Sequence, residues 1–266
     1  MKRVLALLVV FSFLTGTGRA DEPISLRVLC YNIHYGQGND GVYDLERLAE
    51  VIRKEKPDIV ALQEVDVVVE RSGKVHQAQE LAELTGMEVR FGPTQHYQGG
   101  LFGNAILTNL PFRDVLIHPL PYSESTPERT TYPRAAIAVI LELPDGRPIR
   151  VISTHFQHNV EEDRVAEAKA INQLFAKEEK GIPTILAGDM NAKPEEEPIR
   201  ILLEKWTNAT DDPPSPTAPS KEPRSRIDYI FFRGGNQFRV REARVVDEPM
   251  ASDHCPVFAE LEVVDE

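Results

Sequence analysis

Eight polar residues stand where apolar runs begin or end. Asn32 follows "SLRVLCY", Glu64 follows "DIVALQ", His155 follows "RVIST", Asp189 and Asn191 lie in "TILAGDMN", Asp228 opens "DYIFF", and Asp253 and His254 precede "CPVFAEL". A folded core gains nothing by collecting carboxylates, amides and imidazoles there, because buried charge without a partner is costly. Their types suit chemistry instead. Glu64 and Asp253 offer carboxylates, Asn32 and Asn191 offer carbonyl oxygens, and no thiolate joins them, a donor set for a hard cation such as Mg²⁺ or Mn²⁺. His155 and His158 in "THFQH" do not make a zinc site, since no cysteine or HExxH partner accompanies them. The adjacent Ser252, Asp253 and His254 pose the sharpest question: such a string can bind a metal, move a proton or cap a turn.

The segments that must position these residues alternate between strands and helices. "ISLRVLCYN" sets Leu26, Val28 and Cys30 on one face and Leu29 and Tyr31 on the other, a strand buried on both sides. Asp44 is a cap for a helix with Leu45, Leu48, Val51 and Ile52 at helical spacing, closed by Pro57. "DIVALQEV" is a second buried strand, ending at Glu64. Residues 75–85 place Val75, Ala78, Leu81 and Leu84 on one helical face, with Gly86 as the C-cap. Short strands are expected at 87–91 and 104–108, and residues 117–132, rich in Pro, Ser, Thr and Glu, read as a long loop. "AAIAVILEL", "PDGR" and "IRVIST" form a hairpin that delivers His155. The longest helix is expected over 161–178, with Val165, Ala168, Ile171, Leu174 and Phe175 inward and Gly181 and Pro183 ending it. A strand ending in Asp189, a short helix at 198–206, a Pro-rich loop at 211–224 and three strands follow. Strands outnumber helices about two to one, which favours an α/β fold of two packed sheets flanked by helices over a single doubly wound sheet. One domain is expected.

The bulk properties narrow the partners. Residues 1–20 read as a secretory leader: Lys2 and Arg3, an apolar run from Val4 to Leu14, then Gly18 and Ala20 before a cleavage point at Asp21. That run is too short to span a bilayer as a helix. The product would be a secreted or periplasmic monomer spanning 21–266. Without Lys2, Arg3 and Arg19 it has 27 basic against 42 acidic side chains, a net charge near −15. Such a surface repels polyanions and disfavours nucleic acid as a partner, leaving a small or cation-masked substrate. Cys30 and Cys255 are the only cysteines. Export would permit a disulfide, but two buried thiols are the simpler reading of two cysteines in apolar strand settings.

Seven strings in order, Asn32 in "YNIH", Glu64 in "LQEV", "GNAIL" at 103–107, "STH" ending at His155, "GDMN" at 188–191, "RIDYI" at 226–230 and "SDHCP" at 252–256, resemble the motifs of the endonuclease/exonuclease/phosphatase superfamily. The resemblance spans about residues 25–264. It implies the DNase-like four-layered α/β sandwich, two packed mixed β-sheets flanked by helices, and metal-dependent hydrolysis of phosphate esters. Glu64 would be the principal Mg²⁺ ligand, with Asn32 and Asp253 completing or neighbouring that site. Asp189 and Asn191 would orient the attacking water and hold a phosphate oxygen, His155 would stabilise phosphoryl charge, and Asp228 would orient His254. Within "SDH", then, Asp253 faces the metal and His254 handles protons. Neighbouring residues of an extended segment point to opposite sides, which independently separates the two. One departure is His76, where many bacterial relatives carry Asp. In "YPRAAI", Arg134 could reach a phosphate, although an arginine flanking a strand is ordinarily a solvated edge residue.

The expectation is an exported Mg²⁺-dependent hydrolase of phosphodiester or phosphomonoester bonds in a small-molecule or lipid head-group substrate. Whether His254 or Asp189 takes the water's proton stays open. A nuclease is the alternative enzyme; it needs a basic or aromatic groove, for which His96, Tyr97, Arg113, Arg129 and Arg134 are the available residues. A non-catalytic binding module would have lost Glu64, Asp189 or His254, and all three are present. His34, His76, His96, His118 and His158 read as structural or surface, and Met87, Met190 and Met250 as packing.

Overall fold

The structure is a computed structural model that describes residues 23–177, 181–210, 213–233 and 237–264; the expected leader at 1–20 lies outside the described residues. One six-stranded sheet contains β1 (Ile24–Asn32), β2 (Ile59–Val67), β3 (Glu88–Tyr97), β4 (Gly100–Thr108), β11 (Phe238–Val245) and β12 (Val257–Val263), in the order β11-β12-β1-β2-β4-β3. The other contains β5 (Phe112–Pro119), β6 (Ala135–Glu142), β7 (Pro148–His155), β8 (Thr184–Asp189), β9 (Thr207–Asn208) and β10 (Asp228–Arg233), in the order β5-β6-β7-β8-β10-β9. Both sheets are mixed. Each has one parallel pair, β1 with β2 and β7 with β8. The links within those pairs carry helices α1 (Leu45–Glu55) and α3 (Glu161–Phe175), as a parallel crossover requires.

Three apolar layers hold the sandwich. Between the sheets, Val28, Cys30, Ile59 and Ile106 of the first meet Ile137, Val151, Ile185 and Ile230 of the second. The outer face of the first sheet is covered by α1 and α2 (Gln77–Thr85), through Leu48, Ile52, Ala78 and Leu81 against Leu29, Tyr31 and Leu62. The outer face of the second is covered by α3 and α4 (Glu197–Leu203), through Ala168, Ile171, Ile199 and Leu202 against Ile152, Leu186 and Phe231. Burying an aliphatic side chain of this size contributes about 1.5–3 kcal/mol, so the central layer fixes the two sets of strand ends against each other. This is the four-layered α/β sandwich of the DNase-like fold.

Local details explain where sequence patterns misled. Asp44 caps α1 by accepting from Arg47 N–H at 3.0 Å, as expected. His76 has the structural role of capping α2, where its Nδ1 accepts from Gln79 N–H at 3.1 Å. The short strands expected at 87–91 and 104–108 are the far ends of a long hairpin that turns at Gln98–Gly99. The loop expected from 117 begins late, because β5 runs to Pro119 paired on one side only, leaving Leu116 and Ile117 half exposed and the alternation of an inner strand unreadable. Leu174 lies on the exposed side of α3, and Met250 is also exposed rather than packed. Both thiols are free and buried.

Candidate active site

The parallel pairs place the strand ends. Asn32 ends β1, His155 ends β7 and Asp189 ends β8, with His155 and Asp189 in register and Asp228 opposite Asp189 from β10. Gly188 permits that approach, since a Cβ there would lie 2.2 Å from the Thr154 carbonyl oxygen. Glu64 departs from the strand pattern: the β2–β4 register shifts between Leu62 and Val65, and Glu64 has φ +58°. A bulge residue in the left-handed region leaves the alternation of its strand, at a cost of order 1 kcal/mol for a residue with a Cβ. Its carboxylate comes within 3.1 Å of Asn32 Nδ2. Asn191, at φ +47°, is held by its own N–H on Asp189 Oδ1 at 2.8 Å.

Asp189 is the hub. Its Oδ2 accepts from Asn32 Nδ2 at 3.0 Å and lies 3.5 Å from His155 Nε2 and 3.8 Å from His254 Nε2. The Asn32 amide thus bridges Glu64 and Asp189 through its nitrogen, while its oxygen accepts from His34 N–H at 3.0 Å. It offers a cation its oxygen only after turning over. His254 Nδ1 donates to Asp228 at 2.9 Å, and Ser252 Oγ donates to the Asn32 carbonyl at 2.7 Å, which pins the 252–254 segment to β1. Residues 250–254 bend rather than extend, so the strand argument for separating Asp253 from His254 does not apply: Asp253 Oδ1 is 4.0 Å from His254 Nε2 and 3.8 Å from His34 Nδ1.

Protonation follows from partners. Arg134, 5 % exposed, has its Nη1 3.2 Å from His155 Nδ1, and arginine can only donate. His155 Nδ1 is therefore an acceptor, and the single proton of the neutral ring sits on Nε2. Burial and then the Arg134 charge hold the His155 pKa well below the usual range, which keeps the ring neutral. Asn191 Nδ2, which donates to the Phe156 carbonyl at 3.1 Å, also lies 3.0 Å from Nε2, so the ring has a donor neighbour at each nitrogen and can accept from only one of them. His254 is the opposite case: burial opposes its charge, but Asp228 and Asp189 outweigh that and raise its pKa well above normal. Burial, then Asp228, pushes Asp189 up to about 7.

A cavity of about 560 Å³ is lined by all of these carboxylates and rings except Asp228, together with His34, Tyr35, Arg134 and His158. Three of these correct the sequence reading. Arg134 is buried, not solvated, because the β6 start tucks it under His155; His34 and His158, read as structural or surface groups without a part in the site, line the cavity. The only signal for them was adjacency to motif residues, "YNIH" and "THFQH". Glu64 and Asp253 line the cavity, Asn32 reaches Glu64 at 3.1 Å without lining it, and the three fit a hard cation by donor type. Asp189, Asp228 and His254 also bring ligand atoms within 4.8 Å of one another. That trio is better described as a hydrogen-bonded relay, since the His254 Nδ1 proton is committed to Asp228.

The endonuclease/exonuclease/phosphatase family model matches residues 29–254. No curated protein sequence matches. Among solved structures, an endonuclease/exonuclease/phosphatase from Beutenbergia cavernae is 26 % identical with a TM-score of 0.76, covering 90 % of this chain and 72 % of that one. A mannosyl-6-phosphatase from Bacteroides thetaiotaomicron is 19 % identical with a TM-score of 0.71, covering 89 % and 99 %. The human Nocturnin catalytic domain with bound sulfate is 20 % identical with a TM-score of 0.67, covering 90 % and 95 %. With the family model spanning the strand ends from β1 to His254, and the sandwich shared with these neighbours, the chain belongs to the endonuclease/exonuclease/phosphatase family of phosphoester hydrolases.

Proposed function

We propose that the protein is an exported, Mg²⁺-dependent hydrolase of phosphodiester or phosphomonoester bonds in a small-molecule or lipid head-group substrate. The observation that carries this reading is the meeting of His155 Nε2, the Asn191 amide and the Asp189 carboxylate at adjoining strand ends, with Asn191 Nδ2 3.0 Å and Asp189 Oδ2 3.5 Å from His155 Nε2. An incoming phosphoryl oxygen would take the ring N–H and the amide N–H in place of their present contact. Asp189 then stands next to that oxygen with a pKa near neutrality, placed to orient a water and to share its proton with His254. Asp228 holds the His254 ring and stabilises its charged form. Glu64, Asp253 and, after an amide turn, Asn32 would hold the cation, which supplies Lewis-acid charge neutralisation at the phosphate.

The nuclease alternative loses part of its groove. Arg134 is buried under His155, and Arg113 is paired with Glu142 at 2.7 Å on the edge strand β5. Combined with the acidic net charge, this weighs against a polyanionic substrate. The test is phosphate-ester release across plasmid DNA, RNA, sphingomyelin, inositol phosphates and 4-nitrophenyl esters, with and without Mg²⁺. Turnover of plasmid that rivals the small esters would favour the nuclease, and no Mg²⁺ dependence on any substrate would sink the reading. Export is tested by the N-terminus of the secreted protein, expected at Asp21.

A further inference from the structure

Beside the catalytic cavity lies a second, of about 570 Å³, lined by Arg71, Gln95, Tyr97, Phe102 and Tyr132 and sharing Glu64, Arg134, His155 and His158 with the first. Resting on the phosphoesterase reading, we propose that this side cavity receives the alcohol portion of the substrate, that this portion is a compact polyhydroxylated ring, a sugar or a cyclitol, and that Arg71 is the residue that recognises it.

Arg71 is fixed before any ligand arrives. Its Nε and Nη2 donate to the two oxygens of the fully buried Asp66, each at 2.9 Å. Its guanidinium lies over the rings of Tyr35 at 3.6 Å, Tyr97 at 4.7 Å and Phe102 at 5.3 Å. Arg71 N–H also donates to the Gln98 side chain at 3.0 Å, which ties its short 3₁₀ turn to the β3–β4 hairpin. A cation locked in this way loses little entropy on binding. Two of the five guanidinium N–H groups are used by Asp66, so three remain to give.

The locking also decides what binds. A nucleobase is held by free aromatic faces. Here one guanidinium covers a face of three rings, and Tyr132 is stacked on His158 at 5.6 Å and 27°. A second phosphate or a carboxylate wants net positive charge, but the Asp66 carboxylate neutralises Arg71, and Glu64 offsets Arg134, the other cation of the lining. What the lining supplies is directed hydrogen bonding from the remaining guanidinium N–H groups, the Gln95 amide and the phenols of Tyr97 and Tyr132, against the apolar Phe102. Hydroxyl groups on a small ring fit that chemistry. The space beside Arg71 is large enough for a sugar-sized ring.

The experiment uses the full mature chain with Mg²⁺, reporting hydrolysis of 4-nitrophenyl phosphate and bis(4-nitrophenyl) phosphate. Competing ligands are glucose 6-phosphate, myo-inositol 1-phosphate, glycerol 3-phosphate and thymidine 5′-phosphate. The expected result is that at least one ring polyol phosphate inhibits about tenfold more tightly than glycerol or thymidine phosphate. Which of the two does so separates sugar from cyclitol. Arg71→Met should shrink that preference to about threefold or less, and Tyr97→Phe, which keeps the ring against Arg71, should retain most of it. Equal inhibition by all four, tightest inhibition by thymidine phosphate, or an undiminished preference in Arg71→Met would overturn the proposal. Absence of Mg²⁺-stimulated release from both reporters would instead defeat the phosphoesterase reading beneath it.

Discussion

His254 Nδ1 lies 2.9 Å from Asp228 Oδ2, a pair 26 residues apart that joins the two sheets across the site. Asp228 opens β10 of the second sheet, and His254 precedes β12 of the first. The immediate neighbour Asp253 is 4.0 Å from the other ring nitrogen and is not the partner of Nδ1. The ring is therefore held by the distant carboxylate.

Removing that carboxylate charge should release the ring. In Asp228→Asn the His254 pKa, now raised by Asp228 and Asp189 against burial, should fall, and the rate should fall with it. His254→Ala should cost about 10²–10⁴ in rate, and Asp228→Asn less, because the imidazole remains. An NMR titration of the ring beside the pH–rate profile checks both. An unmoved His254 pKa in Asp228→Asn would show that the pair does not set it.

Glu64 and Asp253 should fail differently from these. Glu64→Gln is expected to weaken Mg²⁺ binding by about tenfold or more, read as a smaller Mg²⁺-induced rise in melting temperature, with the apo melting temperature nearly unchanged. Asp253→Asn should be weaker in effect and rescued by added Mg²⁺. Rescue of His254→Ala by Mg²⁺, with none for Asp253→Asn, would reverse the roles assigned to the neighbours.

Much of this arrangement was legible in the sequence, and the reason is periodicity. β1, β2, β7 and β8 are inner strands buried on both faces, so each reads as an unbroken apolar run whose first polar residue marks the end. Asn32, His155 and Asp189 were found that way. β5 was missed because an edge strand buries only part of one face. Arg71 escapes the sequence reading, and Arg134 enters it as an ordinarily solvated edge residue, for another reason. Arginine near a strand end reads as solvated, and only tertiary partners, His155 in one case and Asp66 with three aromatic rings in the other, bring it inside.

Arg134 sets the His155 tautomer by donating to Nδ1. Arg134→Met should let the proton move to Nδ1, removing the Nε2–H donor and costing about 10²–10³ in rate, as loss of one oxyanion donor does. Nitrogen chemical shifts of the His155 ring report the tautomer directly. A ring that keeps its Nε2–H in the variant, with the rate intact, would exclude this role.

Glu167 of α3 gives a stability prediction. It is fully buried, and burial pushes its pKa up to about 8, only partly offset by the Gln157 N–H at 2.9 Å and by Arg134. A carboxyl whose folded pKa exceeds the unfolded value holds its proton better in the folded chain, so stability falls as pH rises above the unfolded value and levels off beyond about 8. Glu167→Gln removes that loss. The variant should match the wild type at acidic pH and be more stable by about 2–4 kcal/mol above the folded pKa. Urea unfolding across this pH range tests it, and parallel curves for the two proteins would mean that Glu167 is ionised in the folded state throughout.

The last prediction uses two residues held in the same left-handed backbone region. Val68 has φ +60° and is 45 % exposed, while Glu64 has φ +58° and lines the catalytic cavity. The left-handed region costs a residue with a Cβ about 1–2 kcal/mol, and a β-branched one most of all. Glycine removes that cost but loses more chain entropy on folding, so Val68→Gly should stabilise the protein by about 0.5–1 kcal/mol. Its Mg²⁺ response should be preserved, because Val68 lines neither cavity. Glu64→Gly should relieve comparable strain while losing the carboxylate, so stability without metal should hold or rise as Mg²⁺ binding and turnover collapse. Melting curves with and without Mg²⁺ for both variants separate the effects. Loss of metal-free stability in Glu64→Gly beyond about 1 kcal/mol would show that the Glu64–Asn32 contact at 3.1 Å supports the fold, and that the strained backbone there is not kept for function alone.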